Sequence, residues 1–263
     1  MDVRYQVVDV FTDRPLAGNA VCVVIDPVPE HLMQPLAREV NLSETTFATV
    51  TGAGSYDVRI FTPAEELPFA GHPSLGTATV LGPGTWQQRS PGATVSIEVG
   101  EGGAVMSQPD PVLREIDAAT VGSALGLGGR GPAFVMEVGG TRHALILADR
   151  PLASVRPDHA ALAALARSLK ATGVGAFCSA ADGSVEARLF VAGAGVFEDP
   201  GTGSAAGALG VLAGRLWSAP ADVVVHQGVE MGRPCHIEVH AEPGRMRVGG
   251  QVARCAAGRF TLA

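Results

Sequence analysis

Short runs of β-branched and apolar residues dominate the chain. Val3–Val10 (VRYQVVDV) and Ala20–Ile25 (AVCVVI) read as strands, and Phe47–Val50, Tyr56–Phe61 and Val95–Val99 continue the pattern. Each run is bounded by Gly, Pro, Asp or Asn, the residues that punctuate strands. Apolar residues recur at helical spacing in fewer places: His31–Val40 before Asn41, Ser74–Leu81, Ala160–Leu169 and Ser204–Leu216. Strands outnumber helices, and one prominent helix in each half follows a Gly/Pro turn. The pattern predicts an α+β fold rather than a doubly wound parallel sheet.

The pattern also repeats. Arg59-Ile60-Phe61-Thr62 leads through a linker to Gly71-His72-Pro73-Ser74, and Arg188-Leu189-Phe190-Val191 leads to Asp199-Pro200-Gly201-Thr202-Gly203-Ser204. Upstream, Glu44-Thr45-Thr46-Phe47 matches Val174-Gly175-Ala176-Phe177. An offset of about 127–130 residues is too long for a solenoid and predicts two similar domains facing each other. Placed at the Gly-rich stretch Leu125–Pro132 (LGLGGRGP) or slightly before it, the boundary gives domains 1–122 and 123–263.

Composition narrows the function. The chain has 263 residues, 46% hydrophobic and 17% charged, with a net charge of −7. Such a chain folds, and it lacks the basic surface that tracks a phosphate backbone, so no nucleic-acid partner is expected. Lys170 is the only lysine, so a Schiff-base mechanism would rest on it alone. There is no stretch of 18 apolar residues and the N-terminal residues do not form a signal peptide, so the expectation is a soluble, cytoplasmic protein with no membrane partner. Cys22, Cys178, Cys235 and Cys255 form no CxxC pair and read as small hydrophobes in a reducing compartment. His236 and His240 would share a strand face about 13 Å apart, which does not suit a shared metal. Gly201-x-Gly203 lacks the rest of a dinucleotide fingerprint. No metal or cofactor is expected.

The candidate chemistry sits at the two repeated turns. Each carries a polar residue before proline, His72 in one half and Asp199 in the other, followed by a helix of small residues. Two helix starts aimed at one cleft would bind a carboxylate or an oxyanion through bare N–H groups and the macrodipole. At a helix N-terminus His72 should prefer its neutral form and Asp199 its ionised form, giving a proton acceptor and a donor. Glu44, between Leu42 and Phe47, is a candidate general base if desolvated, and an exposed loop acid otherwise. Glu65 and Glu66 are adjacent, point apart and read as a solvated loop.

At these motifs the sequence resembles the phenazine-biosynthesis isomerase (PhzF-like) family. The matching residues are Asp9-Val10-Phe11-Thr12 with Gly18-Asn19-Ala20, Asn41-Leu42-Ser43-Glu44-Thr45, Arg59 to Pro73, Asp199-Pro200-Gly201-Thr202-Gly203-Ser204-Ala205, and His226 to Pro234. They run in family order over nearly the whole chain. One departure is Gly201, often a larger residue in the family.

The resemblance implies the diaminopimelate-epimerase-like fold: two similar β-barrel-like domains, each around a central helix, with the site between them. It implies a cofactor-independent isomerase, usually a homodimer, acting on a small conjugated amino acid such as trans-2,3-dihydro-3-hydroxyanthranilate, as in secondary metabolism. It assigns the proton-moving carboxylate to Glu44, with His72 and Asp199 assisting. Backbone N–H groups at Gly71-His72 and Gly203-Ser204 would cradle the substrate carboxylate, and Asn19 and Ser43 are further contacts. Related epimerases place a cysteine at each helix-start turn. Here those turns hold His72 and Asp199, so two-thiol racemisation is disfavoured. An epimerase or lyase-like isomerase of the same fold, and a non-enzymatic carboxylate-binding dimer, remain the alternatives.

Overall fold

The computed structural model describes residues 1–191 and 197–262. They form two compact units: Met1–Ser107 with Gly249–Ala263, and Gln108–Val248.

Unit 1 contains, in chain order, β1 (Asp2–Val10), β2 (Asn19–Val24), α1 (Glu30–Val40), β3 (Glu44–Gly52), β4 (Ser55–Phe61), β5 (Glu66–Leu67), α2 (Gly71–Leu81), β6 (Gly84–Arg89), β7 (Thr94–Val99) and β8 (Gly103–Ser107). Unit 2 contains β9 (Val112–Ile116), α3 (Ala118–Ala124), β10 (Ala133–Val138), β11 (Thr141–Leu147), α4 (His159–Leu169), β12 (Gly173–Ser179), β13 (Val185–Val191), β14 (Glu198–Asp199), α5 (Gly203–Trp217), β15 (Asp222–Gln227) and β16 (Cys235–His240). The last strand, β17 (Arg247–Thr261), enters unit 1 at Gly249.

In unit 1, β1 runs antiparallel to β2 (Val10↔Asn19), β2 parallel to β3 (Val21↔Glu44), and β3 antiparallel to β4 (Phe47↔Arg59). β4 pairs with β6, β6 with β7, and β7 with β8. β17 then joins β8 to β1 and closes the barrel. A closed barrel leaves no edge strand. Its interior is filled by α2, in which every residue from His72 to Ala78 is buried. A helix apolar on all sides belongs in such a place. Gly76 makes the fit possible: a Cβ there would sit 2.6 Å from Val21 Cγ1 and 3.0 Å from Val8 Cγ2. The period of two in β2 does the rest. Val21 faces α2, while Cys22 and Val24 join Leu36, Ala37, Phe47 and Phe61 in a core under α1.

Unit 2 repeats the plan. β11 lies between the antiparallel β10 (Met136↔His143) and the parallel β12 (His143↔Gly173), and β13 pairs with both β12 and β15. α5 is the buried helix, with Gly203 and the run Ala205–Gly210 inaccessible, and it packs on β10, β13, β15 and β16. A second core of Val121, Leu125, Ile146, Leu162, Leu165 and Phe190 lies under α3 and α4.

The two units correct the division read from the glycines. A boundary at 122/123 cuts α3, and Leu125–Pro132 belongs wholly to unit 2. Gly126, Gly129 and Gly131 serve close packing: a Cβ there would lie 2.7 Å from the Arg156 carbonyl oxygen, 2.8 Å from Ala119 Cα and 2.0 Å from the Leu147 carbonyl oxygen, respectively. Among the described residues no helix is long and apolar enough to cross a membrane.

Candidate active site

In unit 1 three element starts converge. Asn41 closes α1 in the left-handed region (φ 53°), its N–H bonded to the Ala37 carbonyl, and the chain turns through Leu42 and Ser43 into β3. Asparagine tolerates that conformation better than most residues. Glu44 is therefore the first residue of β3, His72 the second residue of α2 and Asn19 the first of β2. The His72 Nε2 lies 3.2 Å from Glu44 Oε2, a contact at hydrogen-bond distance without the alignment of a hydrogen bond. The Asn19 Nδ2 lies 3.3 Å from His72 Nδ1. Asn19 is fully buried, and the His72 and Glu44 side chains are only 6% and 15% exposed. Ser43 and Gly71 are half-buried beside them.

Burial pushes the His72 imidazole down to about 3, against the pull of a backbone hydrogen bond to Ala20. The expected neutral form is present, but burial is its largest cause rather than the helix end. The Glu44 contact is thus between a carboxylate and a neutral ring, not an ion pair. The Asn19 amide at Nδ1 and the backbone hydrogen bond to Ala20 hold the ring, with Nε2 turned toward the carboxylate. Ala70, at the N-cap of α2, makes no side-chain cap, and Pro73 has no N–H to satisfy. The first N–H groups of α2 thus remain available to an anion.

In unit 2, Asp199 ends the short β14, opposite Leu189. The Thr202 hydroxyl donates to Asp199 Oδ2. Gln227 Nε2 donates to the Asp199 carbonyl at 2.8 Å and to Thr202 Oγ1 at 3.0 Å, and its Oε1 accepts from the Thr202 N–H at 3.3 Å. Thr202 is the N-cap residue of α5, yet its hydroxyl is committed to Asp199 rather than to capping. The first N–H groups of α5, at Gly203 and Ser204, are left without a side-chain cap. Ser204 Oγ lies 2.8 Å from the Nε2 of the buried His143.

The structure corrects one equivalence. His72 and Asp199 do not occupy matching places. Pro73 is the third residue of α2, whereas Pro200 precedes α5. Counted from the helix starts, His72 corresponds to Ser204, and Asp199 corresponds to Leu67 of β5. The site residues therefore fall into two groups, Asn19, Ser43, Glu44, Gly71 and His72 in unit 1 and Asp199, Gly203 and Ser204 in unit 2.

Sequence reasoning missed His143, Gln227 and a duplicated clamp. Arg188 forks onto Glu198 at 2.8 and 2.9 Å and lies 5.0 Å from the Phe190 ring centroid. Arg59 does the same with Glu66, at 2.7 Å twice, and lies 5.3 Å from the Phe61 ring centroid. The signal was present as Arg-x-Phe followed by Glu in both halves. Glu66 is thus an ion-pair partner rather than a solvated loop acid.

Other chemistry is not assembled among the described residues. Burial pushes the Cys22 thiol up to about 12, and Lys170 is an exposed helix cap. Among the described residues no three His, Cys, Asp or Glu side chains form a metal site. A cavity of about 470 Å³ in unit 1 lies beside Phe47, Asp57, Arg59 and Arg89, away from Glu44 and His72, and its arginines are paired with Asp57 and Glu66.

The model of the phenazine biosynthesis-like protein family matches residues 8–258. The chain is 37% identical to the trans-2,3-dihydro-3-hydroxyanthranilate isomerase of Pseudomonas aeruginosa, over 98% of this chain and 99% of that protein. The solved structure of another Pseudomonas aeruginosa protein, described as a predicted epimerase, superposes with a TM-score of 0.83 at 29% identity, covering 99% of this chain and 100% of that one. A probable proline racemase from Agrobacterium radiobacter shares the fold at a TM-score of 0.66 and 12% identity, covering 99% of this chain and 93% of that one. The fold is the α+β diaminopimelate-epimerase-like one, and the chain belongs to the phenazine biosynthesis-like (PhzF-type) family of isomerases.

Proposed function

We propose that this isomerase moves a proton between two carbons of a small conjugated amino acid, with trans-2,3-dihydro-3-hydroxyanthranilate as the first candidate substrate. The observation that carries this reading is the buried contact between Glu44 and a neutral His72. The Glu44 carboxylate takes a proton from a carbon next to the double bonds. The C–H electron pair shifts through the conjugated system, and the new carboxylic acid returns the proton at another carbon. A protonated imidazole beside Glu44 would neutralise the base, whereas the neutral ring orients it without cancelling its charge. Asn19 fixes that ring through Nδ1.

The N–H groups at Gly71-His72, with Ser43 as a further contact, and separately those at Gly203-Ser204 each suit a substrate carboxylate. Asp199, oriented by Thr202 and braced by Gln227, is the second acid–base group. The cysteines lie on β2, β12, β16 and β17 and not at either helix start, which disfavours a two-thiol racemase. The reaction needs no electron acceptor, so no cofactor is invoked. Chelator-treated, cofactor-free protein should convert the named substrate, followed by NMR of the ring protons. No conversion would overturn the substrate assignment. The family likeness also motivates a homodimer, which light scattering on a sizing column would check.

A further inference from the structure

We propose that His143 is a positioning residue for Ser204: it donates its Nε2–H to the serine oxygen, so that the serine's own hydroxyl proton is left for the substrate. This rests on the reading of Ser204 as a substrate contact given above.

Three observations support it. First, the partners differ in access. His143 is 2% exposed and Ser204 half-buried, so the imidazole meets a ligand only through the serine. Second, the ring's other nitrogen fixes the tautomer. Among the described residues His143 Nδ1 has no hydrogen-bond partner. A buried N–H without an acceptor is rarer and costlier than a bare ring nitrogen, so the proton sits on Nε2. Nε2 then donates across the 2.8 Å to Ser204 Oγ, and the hydroxyl hydrogen must point elsewhere. Burial holds the imidazole down to about 4, so this arrangement persists through the neutral range.

Third, the contact is built twice. β2 and β11 occupy the same place in their units, each between an antiparallel predecessor and a parallel successor. The second residue of each central helix touches a side chain of that strand: His72 touches Asn19, and Ser204 touches His143. The imidazole comes from the helix in one unit and from the strand in the other. In unit 2 the group presented from the helix start is consequently a hydroxyl donor, which would join the Gly203 and Ser204 N–H groups around an anion.

The test has two arms. Long-range ¹H–¹⁵N spectra of histidine-labelled protein, with His143 assigned from His143→Gln, decide the hydrogen bond without any substrate. The expected result is an Nε2-protonated ring whose Nε2 signal moves in Ser204→Ala. An Nδ1-protonated ring, or no response to Ser204→Ala, overturns the proposal. Kinetics decide the role. Ser204→Ala and His143→Phe should each raise KM about tenfold, the double variant should be no worse than Ser204→Ala, and His143→Gln, which keeps an amide donor near Nε2, should recover most of the loss. An unaffected Ser204→Ala would refute Ser204 as a substrate contact, whatever His143 does. An affected Ser204→Ala with an additive double variant would refute the role of His143 alone.

Discussion

His72 Nε2 and Glu44 Oε2 stand 3.2 Å apart at the starts of α2 and β3, and the imidazole of the pair is neutral. Two features produce this. The barrel of unit 1 is filled by a helix, so the first turn of α2 is shut away from water and His72 loses its charge. The left-handed Asn41 then delivers Glu44 to the same spot.

The buried histidines should make stability fall in acid. In the folded chain burial pushes the imidazoles of His72 and His143 down to about 3 and about 4. An unfolded imidazole titrates at about 6.5. Between these values the unfolded chain binds more protons, so stability rises with pH and is lost as pH falls from about 6.5 towards about 4 and then 3. Urea midpoints measured from pH 7 to pH 4 should fall on the acid side, and His143→Gln should flatten that fall. An identical acid loss in His143→Gln would assign the proton uptake to other groups.

Gln227 should matter beyond its size. It is 1% exposed and makes three hydrogen bonds to the segment that carries Asp199. Truncating it to Ala leaves the Asp199 carbonyl and the Thr202 N–H short of partners, at a cost of about 1–3 kcal/mol. Denaturant unfolding would measure the loss, and turnover should fall with it, because the Asp199 loop loses its brace. Unchanged stability would mean that water replaces the amide.

The duplicated clamps should differ in worth. Arg188 and Glu198 are 10% and 12% exposed, whereas Arg59 and Glu66 are 31% and 32% exposed. Glu198→Gln leaves the buried guanidinium with the longer 3.8 Å contact to Glu230 in place of its forked carboxylate and should cost up to about 3 kcal/mol. Glu66→Gln, better solvated, should cost about 1 kcal/mol or less. Equal losses in thermal unfolding would contradict the ranking by burial.

Gly76→Ala tests the filled barrel. The added methyl would collide with Val21 and Val8, and overpacking should cost about 1–3 kcal/mol. A neutral or stabilising effect in urea unfolding would show that α2 can shift within its barrel.

Much of this was legible in the sequence. β-branched runs marked β1, β2, β4 and β7, and helical spacing marked α1, α2, α4 and α5, because period and punctuation are local signals. Glu44, His72 and Asn19 were legible through motif order and meet in unit 1. Three features were not. The long crossing of β17 back to unit 1 is a non-local pairing that no window of sequence reports. The glycines of Leu125–Pro132 looked like a linker because close packing and flexibility use the same residue. The matching of His72 to Asp199 followed proline, whereas the helix starts match His72 to Ser204, the neighbour of His143.

The central claim is that Glu44 carries the proton. Wild type and Glu44→Gln should be incubated with trans-2,3-dihydro-3-hydroxyanthranilate in D₂O, with product formation and deuterium position followed by NMR. Wild type should form an isomer labelled at the newly protonated carbon. Glu44→Gln should fold with unchanged circular dichroism and lose activity by about 10²–10⁴-fold, the range expected for removal of a general base. Near-normal turnover by Glu44→Gln would contradict the account.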